Sequence, residues 1–463
     1  MRVLLAPAEI AGTFSRLKKG LVELGHSATF IAPYKSPFQY GGIDPVPEPL
    51  ADLMQDETIR EIRWLEWRSA KAPLSWLRLK KWLLQKFWLV KNIVKFCRFA
   101  SGYDAFVFHY GNSLYLKCKY VKFNDLFWLR LLGKPVIFLI TGSEARPAYL
   151  DGAQFFGLTD QSPENLAAVT KATRDNNRAI DKYATYVVAN KFTSHFFRRP
   201  VVPLQLVGNA VDVDMTLPAP PADEDGRPVI ILHGPSRPEA KGTPEITRMI
   251  AELRLEGLNI DFRVVTGKTN NEVISEIRRC DFVVDQMYSD LALAVFAAEA
   301  ACLGKPAVVG GYLTKEQLVS AYDHCGVPPS EFCHPSKMKD AIRRLITEPD
   351  YRRRLGNEAR EYVTTYWTPR AVAERYLRLF RRDVPADWLW DPDEQDIAVP
   401  VCISAEKSGA LISAIVEKLG EVALCLDEKP ALKSNVLRLS AAFLDNNGIR
   451  ASSSEHQPAQ AHV

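Results

Sequence analysis

Between Val229 and Gly311 one grammar appears twice, and it constrains the fold more than any other feature of the chain. The apolar run Val229-Ile230-Ile231-Leu232 leads into His233-Gly234-Pro235-Ser236-Arg237-Pro238-Glu239-Ala240-Lys241-Gly242-Thr243 and a helical pattern. The run Asp281-Phe282-Val283-Val284-Asp285 leads through Tyr288-Ser289-Asp290 into Ala298-Glu299-Ala300-Ala301-Cys302-Leu303-Gly304-Lys305-Pro306. A buried strand, a loop of small and charged residues and then a helix is the unit of a parallel sheet, whose loops gather at the carboxyl ends of the strands. Two such loops side by side set Arg237, Lys241, a helix N-terminus and Glu299 around one crevice. Cations and free N–H groups suit phosphate, and a carboxylate suits sugar hydroxyls. The spacing reads as a nucleotide-sugar site.

The same alternation runs along most of the chain. Strands are expected at 2–6, 28–31, 105–108, 136–140, 186–189 and 204–207, then at 229–232, 260–265, 281–285 and 307–309. Apolar strands separated by helical patterns argue for parallel sheets covered on both faces. Pro218-Ala219-Pro220-Pro221 and the acids that follow mark a linker, and Thr368-Pro369 caps a last helix through Arg382. The expected organisation is a first domain over 1–207, a linker over 208–227, a second domain over 228–366, a crossover helix over 367–382 and an extension over 383–463 with a disordered end. In the extension, Ile403–Leu424 and Lys429–Leu444 have helical patterns, and nothing in it points to a function.

Within the first domain, Gly12 sits in the first strand-to-helix turn. It reads either as a plain turn or as a place where backbone meets ligand closely. His109, at a strand end, reads either as an acceptor-side or positioning group or as a histidine hydrogen-bonded where it stands.

Composition excludes several classes. A chain of 463 residues with 47% apolar and 25% charged residues is an ordinary globular protein of two or three domains. Its eight cysteines form no C-x-x-C pair, so a disulfide framework is not expected. His324-Cys325 and Cys333-His334 lack a zinc spacing and read as a loop with buried thiols. Glu9 interrupts the apolar start, so Met1–Ala6 reads as a first strand and not a leader. No uncharged run reaches the ~18 residues of a membrane span. The expected location is the cytoplasm, peripheral at the inner face of the membrane.

That last expectation comes from charge. From Arg60 to Lys134 there are 16 Lys and Arg against four acids, a net +12 in a chain whose total is +4. Trp76, Trp82, Phe87, Trp88 and Phe96 are interleaved with Arg78, Lys80, Lys81, Lys86, Lys91 and Lys95. As a helix, residues 75–99 carry a broad apolar face and a basic one, which suits an anionic membrane surface. The alternative is a domain helix whose aromatic face is core. No nucleic-acid-binding module accompanies the charge, so nucleic acid is not an expected partner.

The loops of the second half resemble the family-four glycosyltransferases, specifically a branch with H-x-P-S…K-G-T, D-Q and E-A-x-A-x-G-K-P motifs. Here these are His233-Gly-Pro-Ser236, Lys241-Gly-Thr243, Asp285-Gln286 and Glu299-Ala-Ala-Cys-Leu-Gly-Lys-Pro306. The likeness extends more faintly over residues 1–382. It implies the GT-B fold, two Rossmann-like domains facing across a cleft, with Asn209-Ala210-Val211-Asp212 crossing between them. It also implies transfer of a sugar, with retention, from a nucleotide diphosphate to a glycan or lipid-linked acceptor in bacterial envelope or exopolysaccharide assembly.

Lys241 and Arg237 are the candidate phosphate clamp, with His109 beside the acceptor. Gly12, Gly234, Ser236, Asp290 and Glu299 are candidate donor contacts, and by resemblance Glu299 takes the ribose hydroxyls. A cationic clamp needs no metal, and no cofactor beyond the donor substrate is expected.

The departures are specific. Leu291 stands where the family commonly has a glutamate, with Asp290 adjacent, and Ala292 and Ala294 replace glycines. Thr141 stands where a histidine is usual. They admit a second class, a catalytically silent relative that partners an active transferase, and a third, an epimerase on the same fold.

Overall fold

The structure, a computed structural model, describes residues 1–32, 38–48, 50, 75–109, 113–114, 124–213, 215–217 and 226–446. Of the linker expected over 208–227, residues 214 and 218–225 lie outside the described residues, as do residues 60–74 of the basic stretch, the polar end from Ser452 and the side chains of Trp76, Arg78 and Lys81.

Two fully parallel sheets form the frame. The first comprises β1 (Arg2–Ala6), β2 (Ser27–Phe30), β3 (Ala105–His109), β4 (Val136–Ile140), β5 (Tyr186–Ala189) and β6 (Val202–Pro203), in the order β2-β1-β3-β4-β5-β6. The second comprises β7 (Val229–His233), β8 (Ile260–Val264), β9 (Phe282–Val284), β10 (Ala307–Gly310) and β11 (Glu331–Cys333), in the order β11-β10-β9-β7-β8. Strand order reverses between β1 and β3 in one sheet and between β7 and β9 in the other. Those reversals open crevices at the carboxyl ends of the strands, and the two crevices share one cavity. The expected architecture, two Rossmann-like domains facing across a cleft, is the one observed.

Each sheet is covered on both faces, which is why its strands read as continuous apolar runs. On one face of the first sheet the Thr13–Glu23 helix packs with the Pro369–Arg381 helix, through Phe14, Leu17, Val372, Ala373 and Tyr376. The approach is close: a Cβ on Gly20 would fall 1.9 Å from the Pro369 carbonyl oxygen. The last helix of the second domain is thereby anchored to the first.

Several local expectations need correction. Leu204–Val207 is a single helical turn that follows the short β6, because four residues with three apolar ones after proline do not distinguish strand from helix. Glu331–Cys333 is an edge strand on β10, not loop, so Cys333 belongs to the sheet. Residues 349–366 form one continuous helix, where the sequence pattern suggests two, over 350–355 and 357–365.

The Ser75–Ser101 helix resolves the question about its aromatic face in an unforeseen way, because both of its faces are apolar. Trp88, Phe96, Phe99 and Ala100 are buried in the first domain's core. Trp82, Phe87, Val90 and Val94 are 53%, 63%, 61% and 62% exposed on the opposite side, with Leu79 and Leu83 continuing the stripe.

The extension also has a fixed place. Val401 bridges to Asp151, Trp390 bridges to Val201, and the Cys402 N–H donates to the Tyr288 carbonyl of the second domain at 2.9 Å. Helices Ala405–Leu419 and Pro430–Asn446 then bury Ile412, Ile415, Leu432 and Val436 against Tyr149, Leu150, Phe155 and Leu166. The extension therefore contacts both domains and ties them together.

Candidate active site

A cavity of about 370 Å³ lies where the two crevices meet. From the first domain it is lined by Ile10, Ala11, Thr13, Tyr40 and Thr141; from the second, by Gly234, Pro235, Ser236, Lys241, Asn270, Asp285, Leu291, Ala294 and Glu299. Asn209, at the crossing between domains, also reaches it. Four sequence-selected residues, Gly234, Ser236, Lys241 and Glu299, are thus brought together, while Gly12, His109, Arg237 and Asp290 are not among its lining.

The Gly234–Ser236 loop owes its position to His233 beneath it. One ring nitrogen of His233 lies 2.7 Å from the Val284 carbonyl of β9 and the other 2.9 Å from the Thr243 hydroxyl. The imidazole therefore fastens the loop, β9 and the start of the Thr243–Leu255 helix into one piece. Burial pushes its pKa down to about 4, so it is neutral at neutral pH. Its place in the His233-Gly-Pro-Ser236 motif does not by itself disclose this fastening role.

Lys241 hydrogen-bonds the Gln286 side chain at the cavity wall. Nearby Asp285 is 2% exposed, and its Oδ2 has no hydrogen-bond partner among the described residues. Burial raises its pKa and Lys241 opposes the rise. A buried carboxylate oxygen left free at a cavity wall is an acceptor awaiting a donor. Asp285 lines the cavity, a position that its Asp285-Gln286 motif alone does not disclose.

Glu299 is 2% exposed, and its carboxylate is engaged by the protein itself. Arg16 of the first domain forms an ion pair with it, and the Asn270 amide donates to the same oxygen at 2.9 Å. Burial raises the Glu299 pKa, against the pull of Arg16 and Asn270. Burial lowers that of Arg16, but the charge and hydrogen bond of Glu299 carry it above its ordinary value. Arg16 also donates to the Ala11 carbonyl at 3.1 Å and sits over the Tyr40 ring. Gly12 serves this cluster. It has φ +75, and a Cβ there would meet Tyr40 at 2.8 Å and the Arg16 guanidinium carbon at 3.0 Å.

The remaining candidates are placed elsewhere. His109 is fully buried, its ring 3.2 Å from the Thr141 hydroxyl and packed on Phe14, and burial pushes its pKa down to about 4. Arg237 leaves the loop to donate to the Ala153 carbonyl of the first domain. Asp290 accepts from Arg146 at 2.6 Å and from Asn190 at 2.8 Å, and Arg146 also holds Asp151 at 3.0 Å. That network is 5% exposed at Arg146 and 3% at Asp290, and it fixes one domain on the other. No cluster of three or more metal-ligating side chains occurs among the described residues.

No family model matches the chain, and no curated protein does. Solved structures do resemble it. Sucrose-phosphate synthase from Thermosynechococcus elongatus has a TM-score of 0.44 at 15% identity, covering 82% of this chain and 98% of its own. Anabaena HepE in complex with UDP and glucose has a TM-score of 0.48 at 12% identity, covering 82% and 99%. The glycosyltransferase SnogD from Streptomyces nogalater has a TM-score of 0.36 at 14% identity, covering 82% and 99%.

Proposed function

We propose that the chain is a GT-B glycosyltransferase that moves a sugar from a nucleotide diphosphate to a glycan or lipid-linked acceptor in bacterial envelope or exopolysaccharide assembly. One observation carries this reading. A single cavity joins the two strand-order reversals, with a lysine and a glycine-bearing loop at one part of its wall and a carboxylate at another. The diphosphate lies against the Gly234–Ser236 backbone and Lys241, where charge grows on the leaving oxygen. The ribose hydroxyls take Glu299 and Asn270, and the acceptor enters from the side of Ala11, Thr13 and Thr141. Retention of configuration follows the sequence resemblance, and the cationic clamp makes the reaction metal-independent. The exposed stripe of the Ser75–Ser101 helix, flanked by Lys80 and Lys86, seats the protein on an anionic membrane.

Calorimetry with a panel of nucleotide sugars tests the proposal. Binding followed by slow donor hydrolysis supports it, and no binding to any member of the panel refutes it. Lys241→Ala is expected to weaken a nucleoside diphosphate by roughly 10- to 100-fold, the range of a charge-assisted hydrogen bond, and the nucleoside far less. Equal weakening of both ligands removes Lys241 from the clamp.

A second reading has its own observation. Glu299 is already paired with Arg16, and Leu291 and Ala294 line the wall where the resembled family has a carboxylate and a glycine. That combination favours a silent relative, which binds the nucleotide and hydrolyses nothing.

A further inference from the structure

A second concave site lies at the opposite end of the first sheet from the cavity. Arg130, Lys134, Lys182, Arg199 and Arg382 line one groove with Tyr183, Ala184 and Thr185. Lys134 immediately precedes the Pro135–Val136 entry to β4, and Thr185 precedes β5, so the groove opens at the amino ends of these strands. Five cations from separate chain segments meet there, and none forms an ion pair with a carboxylate among the described residues.

Four of them donate to backbone carbonyls, and the Lys182 ammonium sits 5.4 Å from the Tyr183 ring centroid. Arg130 donates to Lys182 at 2.5 Å, Lys134 to Tyr103 at 2.7 Å, and Arg382 to Gly133 at 3.1 Å. Arg199 donates to Asp181 at 2.8 Å and Ala184 at 3.0 Å. The Asp181 carboxylate is 7% exposed and accepts from the backbone N–H groups of Arg198 and Arg199. Carbonyls at helix C-termini attract cations, but each cation keeps further donors that these contacts do not use. The carboxylates Asp181 and Asp104 feel the charge of Arg199 and Lys134 without pairing with them, so five cations face two carboxylates, and a multiply charged anion relieves the remaining repulsion.

The surroundings say which anion. Phe127 and Leu131 share the outer face of the Asp125–Leu131 helix with Arg130 and are 45% and 66% exposed. This helix and the Ser75–Ser101 helix cover the same sheet face. The latter ends beside the groove, where Lys134 holds the Tyr103 carbonyl. An apolar surface therefore borders a cationic one, the order met on passing from acyl chain to headgroup.

We propose that this groove binds the phosphate of an anionic lipid headgroup while the exposed helix faces rest in the acyl boundary. The assignment rests on the membrane contact proposed above and adds a headgroup site distinct from the sugar-donor cavity.

Flotation of the full chain with phosphatidylcholine vesicles, with and without phosphatidylglycerol, tests it. The triple variant Arg130→Gln, Arg199→Gln, Arg382→Gln keeps hydrogen-bond donors but removes charge. It is expected to lose about a hundredfold in affinity for the anionic vesicles, at roughly a factor of five per basic residue near a charged surface. Its melting temperature and nucleotide binding stay as in the wild type. Phe87→Gln with Val90→Gln is expected to weaken binding to both vesicle types. Wild-type flotation by the triple variant overturns the groove and leaves the helix contact standing. If the wild type floats with neither vesicle, the membrane contact fails. Saturation of the groove by soluble glycerol phosphate, with no vesicle binding, overturns a lipid source in favour of a free phosphate.

Discussion

Glu299→Ala is expected to destabilise the protein by about 3 kcal/mol and to weaken nucleotide binding by roughly 1.5–3 kcal/mol. The first effect comes from Arg16, left buried without its carboxylate; removing one member of a buried pair typically costs about 3–5 kcal/mol. The lower end applies because Arg16 retains the Ala11 carbonyl and the Tyr40 ring. The second effect comes from loss of the acceptor proposed for the ribose hydroxyls.

Arg16→Ala separates the two. It strands Glu299 in a 2% exposed position, so it too should be destabilising. Nucleotide can then supply the missing hydrogen-bond donors. Nucleotide at a concentration that saturates Arg16→Ala should raise its urea midpoint and move that of Glu299→Ala far less. If neither midpoint responds, or both respond alike, Glu299 is a domain-locking residue and not a ligand for ribose.

That experiment bears on what a sequence can disclose. The two sheets were legible because a strand, its loop and its helix are written within about thirty residues, and burial on both faces leaves unbroken apolar runs. The cavity loop His233–Ser236 with Lys241 and Glu299 was legible for the same local reason. Partnerships across the domains were not. Arg16 lies 283 residues before Glu299, and Arg146 lies 144 before Asp290. Asp290 sits next to the position where the resembled family has a glutamate, which made it a candidate, yet its partner belongs to another domain.

Arg237 shows the same limit. Its loop was placed correctly, but its guanidinium goes to a carbonyl that no local pattern connects with it. In the extension, helical periodicity was visible, whereas the surface that Ile412 and Val436 cover is built from residues 148–166 and could not be read from the extension alone.

The tryptophans of the Ser75–Ser101 helix carry the remaining prediction. Periodicity placed Trp82 and Trp88 on one aromatic helix without deciding which face was core. Trp88 is fully buried and Trp82 is 53% exposed, with the Lys86 ammonium 5.9 Å from the Trp82 ring centroid. Trp88→Ala is expected to lower stability by about 3–5 kcal/mol, the usual cost of emptying a buried tryptophan site. It is read as a drop in the urea midpoint.

Trp82→Ala should stay within roughly 0.5 kcal/mol of the wild type, as exposed substitutions do. Its effect belongs to the vesicle assay, where loss of an interfacial ring weakens binding to anionic vesicles while nucleotide affinity is unchanged. The two substitutions are six residues apart on one helix, so the comparison holds the element constant and varies only the face. A large stability loss at Trp82 with normal flotation would mean that its side is covered by protein, and the membrane would then leave this account.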